Sequence, residues 1–198
     1  MTRQLSTDRF VLERIQESIA VKQALIEDEE YLQRVDALGI AMANALRAGC
    51  KIIFFGNGGS AADAQHLAAE LTGRYMMERP ALAGMTLTAN SSSLTAIGND
   101  YSYEMVFARQ LEGLGRPGDV AVGISTSGNS LNVLRAMECA HSRQIITAAL
   151  TGRTGGELAS EVDFCIRIPS TSTPRIQEAH IFTGHILCEI IEYELFAE

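Results

Sequence analysis

The sequence predicts an α/β protein: a three-layer α/β/α sandwich with a central parallel sheet of about five strands, plus N-terminal helices. Three observations carry this. From Lys51 onward, short apolar runs alternate with longer stretches of helical period. The runs are apolar throughout rather than at every second residue, which suits strands covered on both faces. Alternation of this kind over about 120 residues implies right-handed crossovers, with helices on both sides of the sheet.

Residues from about 5 to 48 read as two helices. Leu12, Ile15, Ile19 and Ile26 fall on one stripe, interrupted by Lys22. Leu32, Val35, Leu38, Met42 and Leu46 form a second stripe. This pair carries no site chemistry. It reads as an N-terminal helical arm, residues 1–48, serving either packing or contact between subunits. The strands follow as Ile52–Phe55, Met85–Thr88, Val120–Ile124, Ile145–Leu150 and Phe164–Ile168, all rich in β-branched or aromatic types. Pro174 stands at a favourable start for a last helix reaching Phe196. No repeat, low-complexity tract or Pro-rich linker interrupts residues 49–198, which are expected to form a single structural unit.

Composition narrows the function. The chain has 198 residues, with 16 Lys+Arg, 24 Asp+Glu and a formal net charge of −8. Its 46% apolar and 20% charged content excludes disordered, collagenous and coiled-coil classes. Apolar runs fall far below the roughly 20 residues needed to span a bilayer. The first residues, MTRQLSTDRFVLERIQ, hold no apolar signal core. A soluble, cytoplasmic protein without a membrane partner is expected. The acidic balance argues against nucleic acid as a partner. Cys50, Cys139, Cys165 and Cys188 contain no CxxC pair, so they read as small buried hydrophobes.

Two loops could hold an anion. The first is Gly56-Asn57-Gly58-Gly59-Ser60, between a strand and a helix. Its glycines permit φ > 0 and close backbone approach, and Ser60 with the helix N–H groups could meet an anion. The spacing is not GxGxxG, and no GK[ST] follows. A plain tight turn with Ser60 as helix N-cap is an equal alternative on this motif alone. The second loop is Ser125-Thr126-Ser127-Gly128-Asn129-Ser130, again after a strand. Four hydroxyls in six residues exceed what a cap requires, and a phosphate monoester wants many directed donors. Open parallel sheets bind ligands at the carboxyl ends of strands, where both loops fall.

Two helices carry proton-transfer groups. His66 and Glu70 are i and i+4, so they share a face, either a solvated pair or part of a cleft. On the last helix, Gln177 and His185 lie eight apart, about 80° around the axis, with His180 about 140° from His185. Only one of these histidines joins a Gln177-centred site easily; otherwise both are partly exposed helix residues. Gly184 costs the helix about 1 kcal/mol, which hints at close approach of another group.

Taken together, NGGSAADAQHLAAELTGRY, AIGND, ISTSGNS, LTGRTGGELA and RIQEAH…H resemble the phosphoheptose isomerases of the sugar isomerase (SIS) superfamily. The resemblance implies the SIS fold, a homotetramer with sites where subunits meet, and one zinc ion per subunit. It implies conversion of D-sedoheptulose 7-phosphate to D-glycero-D-manno-heptose 7-phosphate through an enediol, an early step towards activated heptose. Residue by residue, it gives Asn57, Gly58, Gly59, Asn99 and Asp100 to the substrate. It gives Ser125, Thr126, Ser127 and Ser130 to the phosphate. Glu70 and His185 match the catalytic pair, and His66, Glu70, Gln177 and His185 match the zinc ligands. Ser60, Glu70 and Gln177 are further expected to touch substrate. His180 matches no assigned role. Three rivals remain: a non-catalytic relative that binds the replication initiator, a sugar-phosphate sensor, and an isomerase of another sugar phosphate. The presence of both Glu70 and His185 favours the enzyme over the first.

Overall fold

A computed structural model describes residues 7–197 of the chain. Two helices come first, α1 (Thr7–Ile26) and α2 (Glu29–Arg47). They are followed by β1 (Ile52–Gly56), α3 (Gly59–Thr72), β2 (Gly84–Thr86) and α4 (Ser91–Asp100). After a 3₁₀ turn at Tyr103–Met105 come α5 (Ala108–Leu114), β3 (Val120–Ser125), α6 (Leu131–Ser142) and β4 (Ile146–Thr151). The chain closes with α7 (Leu158–Glu161), β5 (Phe164–Arg167) and α8 (Thr173–Phe196). The start of the expected arm, residues 1–6, lies outside the described residues.

The five strands form one parallel sheet in the order β2-β1-β3-β4-β5. Successive side chains of a strand point to opposite faces, and β1 shows why its run is apolar throughout. Ile52 and Phe54 enter the core shared with α2, α3 and α8, whereas Ile53 and Phe55 enter the core under α5, α6 and α7. Burying each of these side chains stabilises the fold by roughly 1.5–3 kcal/mol. β2 is an edge strand of three residues, shorter than the expected Met85–Thr88, because it pairs with β1 alone.

The two N-terminal helices differ. α2 buries Tyr31, Val35, Leu38 and Met42 in the same core as the sheet. Gly39 lets it close on α8, where a Cβ would sit 2.6 Å from Ile190. The Tyr31 hydroxyl, 2.8 Å from Thr183 Oγ1, ties the same pair of helices. α1 instead leaves Phe10, Leu12, Ile15, Ile19 and Ile26 exposed within one chain.

The reversal of strand order falls between β1 and β3, the place where open parallel sheets bind ligands outside the carboxyl ends of their strands. Both candidate anion loops leave the sheet at that edge. Ser60 is not the N-cap of α3; Gly58 is, at φ 57°, and Ser60 lies inside the first turn, buried against Gly56. The Gly58 conformation is one a non-glycine cap adopts only with strain.

The second loop is braced by the next one. Gly128 (φ 69°) lies against Gly155 (φ 77°) and Gly156 (φ 58°) so closely that a Cβ on Gly128 would overlap the Gly155 carbonyl. Leu158 N–H donates to Gly128 O at 3.0 Å, and Glu157 N–H to Asn129 Oδ1 at 2.8 Å. Gly128→Ala combines backbone strain with overlap and should cost about 2–4 kcal/mol. Urea unfolding of the variant measures this, and an unchanged midpoint would contradict the packing described.

Candidate active site

α3 starts just beyond the carboxyl end of β1 and runs back beside α8. Two glycines bring these helices together. A Cβ on Gly184 would lie 2.6 Å from Leu67, and one on Gly59 would lie 2.6 Å from Gln177 Nε2. The approach hinted at by Gly184 is therefore the α3–α8 contact. It carries the side chains of His66, Glu70 and His185 to one point. His66 Nε2 lies 2.9 Å from His185 Nε2 and 3.2 Å from Glu70 Oε1. The three donor atoms all lie within 4.8 Å of one another.

His185 is held on two sides. Its ring meets His66 edge-on at 5.1 Å and stacks on Tyr75 at 5.4 Å, with 25° between the planes. Tyr75 belongs to the segment after α3, which Glu192 of α8 pins down. The buried Glu192 carboxylate accepts from Tyr75 N–H (3.1 Å), Met76 N–H (2.9 Å), Met77 N–H (2.8 Å) and Arg79 Nε (2.9 Å). Burial pushes its carboxyl up, but these donors outweigh burial and hold it below the usual carboxylate range. Arg79 completes the clasp by donating to the carbonyls of Glu70 (2.8 Å) and Leu71 (2.9 Å).

His180 is not a partly exposed helix residue. It is fully buried, and its Nε2–H donates 3.0 Å to Thr151 O at the end of β4. The 140° between the two histidines sends His180 into the sheet and His185 to the partly exposed cluster with His66. Burial holds His180 neutral, lowering it to about 4 from 6.5. The unfolded chain thus takes up a proton near pH 6.5 that the folded chain resists until about pH 4. Stability should fall across that window as pH drops, by up to roughly 3 kcal/mol. Urea titrations at pH 7 and 4.5 should show a flatter dependence for His180→Gln; an equal slope would refute the assignment.

The other expected residues take several positions. Asn57 exchanges two 2.9 Å hydrogen bonds with Asn132 of α6 and accepts from the Tyr103 hydroxyl at 3.1 Å, so it joins the two loops. Ser125 Oγ lies 3.0 Å from Ser130 Oγ, and Ser127 Oγ accepts from Asn129 N–H at 3.2 Å. Thr126 and Ser127 line a cavity of about 240 Å³. Asn99 and Asp100 sit exposed at the end of α4, where Asn99 Nδ2 donates 2.8 Å to Asp100. Gln177 lies against Gly59, about 10 Å of helix before His66.

Sequence reasoning missed two neighbours. Tyr75 ends the quoted LTGRY stretch, but only the fold places its ring on His185. Asp63, one turn before His66, has a buried Oδ2 without a hydrogen-bond partner; burial raises its carboxyl while His66 opposes the rise.

Two imidazoles and a carboxylate, with His66 2.9 Å and 3.2 Å from its two partners and all three ligand atoms within 4.8 Å of one another, could hold a metal ion. Zinc–nitrogen bonds of 2.0–2.1 Å in a tetrahedron put ligand atoms about 3.3 Å apart, and three protein ligands with an open position are usual in catalytic sites. The thiol nearest on α8, Cys188, is pushed up to about 12, first by burial and then by Glu70.

This fold and this cluster define a class. The chain belongs to the SIS domain family, whose pattern matches residues 15–152. Within that class its relatives are phosphoheptose isomerases. The enzyme of Sulfurimonas denitrificans is 50% identical over 190 residues, 96% of this chain and 97% of that one. That of Mycobacterium bovis is 49% identical over 193 residues, 98% of each chain. The solved phosphoheptose isomerase of Neisseria gonorrhoeae superposes with a TM-score of 0.89 at 44% identity, covering 94% of this chain and 99% of that one. The chain is accordingly a sugar-phosphate isomerase.

Proposed function

We propose that this isomerase converts D-sedoheptulose 7-phosphate to D-glycero-D-manno-heptose 7-phosphate, the entry reaction towards nucleotide-activated heptose in the cytoplasm. The observation that carries the reading is the convergence of His66, Glu70 and His185 on the helices that follow and flank the two candidate anion loops. The loops suit the phosphate, held by Ser125, Thr126, Ser127 and Ser130 with Asn57, Gly58, Gly59 and Ser60 beside them. Asn99, Asp100 and Gln177 would contact the sugar. About 10 Å of α3 separates Gly59 from His66, a span that suits a long phosphorylated chain with its carbonyl at the far end.

The chemistry follows from what the reaction needs. Glu70 as carboxylate takes the proton from C1 of the ketose while His185 gives a proton to the C2 oxygen, leaving a neutral enediol. Glu70 then returns its proton to C2, and His185 recovers one from the C1 oxygen, so the protons balance. His66, Glu70 and His185 would hold one zinc ion per subunit; Gln177, expected as a fourth ligand, lies against Gly59 about 10 Å of helix away and would serve the sugar instead. Bound zinc would supply positive charge that polarises the carbonyl. A carboxylate engaged with a metal is a weaker base and a metal-bound imidazole nitrogen carries no proton, so the two duties compete for Glu70 and for His185 alike. Glu70→Gln and His185→Gln should each lower turnover by at least a hundredfold with the circular dichroism spectrum unchanged. Near wild-type aldose phosphate formation by either variant would overturn these roles.

We further propose a homotetramer, with α1 serving assembly; α2, the other half of the expected arm, belongs to the core of the subunit itself. The support is the unpartnered stripe of α1, an apolar face of the kind that a neighbouring subunit covers. No helix of the described residues is long and apolar enough to cross a membrane. Light scattering should find four subunits, and Ile15→Glu with Ile19→Glu should yield smaller, less active species. An active monodisperse monomer of the unaltered chain would refute the proposal.

A further inference from the structure

The stack of Tyr75 on His185 has no part in the proton transfers above, yet it fixes the ring that performs one of them. We propose that Tyr75 is a positioning residue: it sets the plane of the His185 imidazole so that Nε2 points at the reacting oxygens and at His66. The inference rests on His185 being the acid/base group of the preceding reading.

The geometry is specific. A histidine on a helix can rotate about two side-chain bonds, and only its neighbours choose the ring plane. One neighbour is His66, whose 2.9 Å contact to His185 fixes a single atom. A contact at one atom leaves the ring free to turn about that point. The nearly parallel Tyr75 ring, at 5.4 Å and 25°, removes this freedom. Offset stacking of this kind is favourable beyond the area it buries.

Tyr75 can do this because its own backbone is immobilised. Its N–H donates to Glu192, four residues after Cys188 and two turns beyond His185 on α8. Arg79 closes the segment from the other end by bonding Glu192 and the last carbonyls of α3. The platform is therefore built from the same two helices that carry His66, Glu70 and His185. The Tyr75 hydroxyl reaches Glu189 only at 3.5 Å, the edge of hydrogen-bond range. The flat ring, not the hydroxyl, is the working part.

The test uses the full chain and three substitutions, Tyr75→Phe, Tyr75→Leu and Tyr75→Ala, assayed for kcat and KM with sedoheptulose 7-phosphate. Thermal melting checks that each is folded. Phe keeps the ring and should stay within about twofold of the parent kcat. Ala and Leu should lose about tenfold in kcat, the scale of one aromatic contact, with KM changed less than twofold. Leu separates orientation from bulk: if it performs as well as Phe, Tyr75 merely fills space and the proposal fails. It fails equally if Ala retains full kcat, or if the loss falls on KM alone. His185→Gln run in parallel separates the two levels. An active His185→Gln overturns the reading of His185 itself, whereas an inactive one beside a fully active Tyr75→Ala overturns only the positioning role.

Discussion

The closeness of α3 to α8 governs this site. Two α-helices with ordinary side chains at their contact pack 8–10 Å apart. Here Gly59 and Gly184 remove the side chains that would hold the helices apart, and Gln177 and Leu67 occupy the vacated space. The approach lets two imidazoles, one from each helix, reach a 2.9 Å separation without bending either backbone. Glu70 joins because it follows His66 by four residues on the same face. Gly184 weakens the helix locally, but α8 runs for 24 residues with one face in the main core, so burial outweighs the penalty. A larger residue at 184 would separate the helices and disperse all three donor atoms together.

The buried Arg79–Glu192 pair serves the same geometry. A buried ion pair is often no more stabilising than apolar packing of the same shape, because both charges lose water. This one is satisfied unusually fully. Glu192 collects three backbone N–H groups besides Arg79, and Arg79 reaches four backbone carbonyls, those of Glu70, Leu71, Gly73 and Pro80. The pair therefore serves as a fastener for an irregular segment that has no sheet or helix partner of its own. Its consequence for chemistry is indirect: it fixes the turn from α3 to β2 and with it the Tyr75 ring.

Much of this was legible in residues because it followed from period and composition. The strands were readable from runs apolar on both faces, and β1 splits its side chains between two cores as such a run requires. The angular separation of His180 from His185 was readable from 3.6 residues per turn, and the fold uses it to divide a buried histidine from a cleft histidine. What was not legible depended on long-range packing. That His180 is buried follows from α8 crossing β4, which no local pattern encodes. Of the two alternatives for Ser60, the N-cap rested on residue preference, which glycine at 58 overrides by taking a left-handed conformation. The Tyr75 ring meets His185 across 110 residues of chain, and no spacing rule connects them. The α1 stripe was visible as a stripe, yet it stayed exposed: α2 buried its stripe in the core, whereas α1 entered the core through Leu25 and Val21 and left Leu12, Ile15, Ile19 and Ile26 uncovered.

The hydroxyl loops do not by themselves distinguish a catalyst from a binding protein. A phosphate can be gripped by serines and helix N–H groups whether or not anything follows, and such a grip serves a sensor equally well. Isomerisation adds a stricter demand: two groups able to exchange protons, placed on carbon and oxygen of the same substrate and held there before it arrives. A sensor gains nothing from bringing two imidazoles and a carboxylate within 4.8 Å of one another at the expense of helix-breaking glycines. Nor does it need the stacked Tyr75 and the clasp beneath it. With Glu70 and His185 in their proposed roles, the α3–α8 approach is preorganisation for proton transfer, and the proposed mechanism rests on this contact more than on the candidate anion loops.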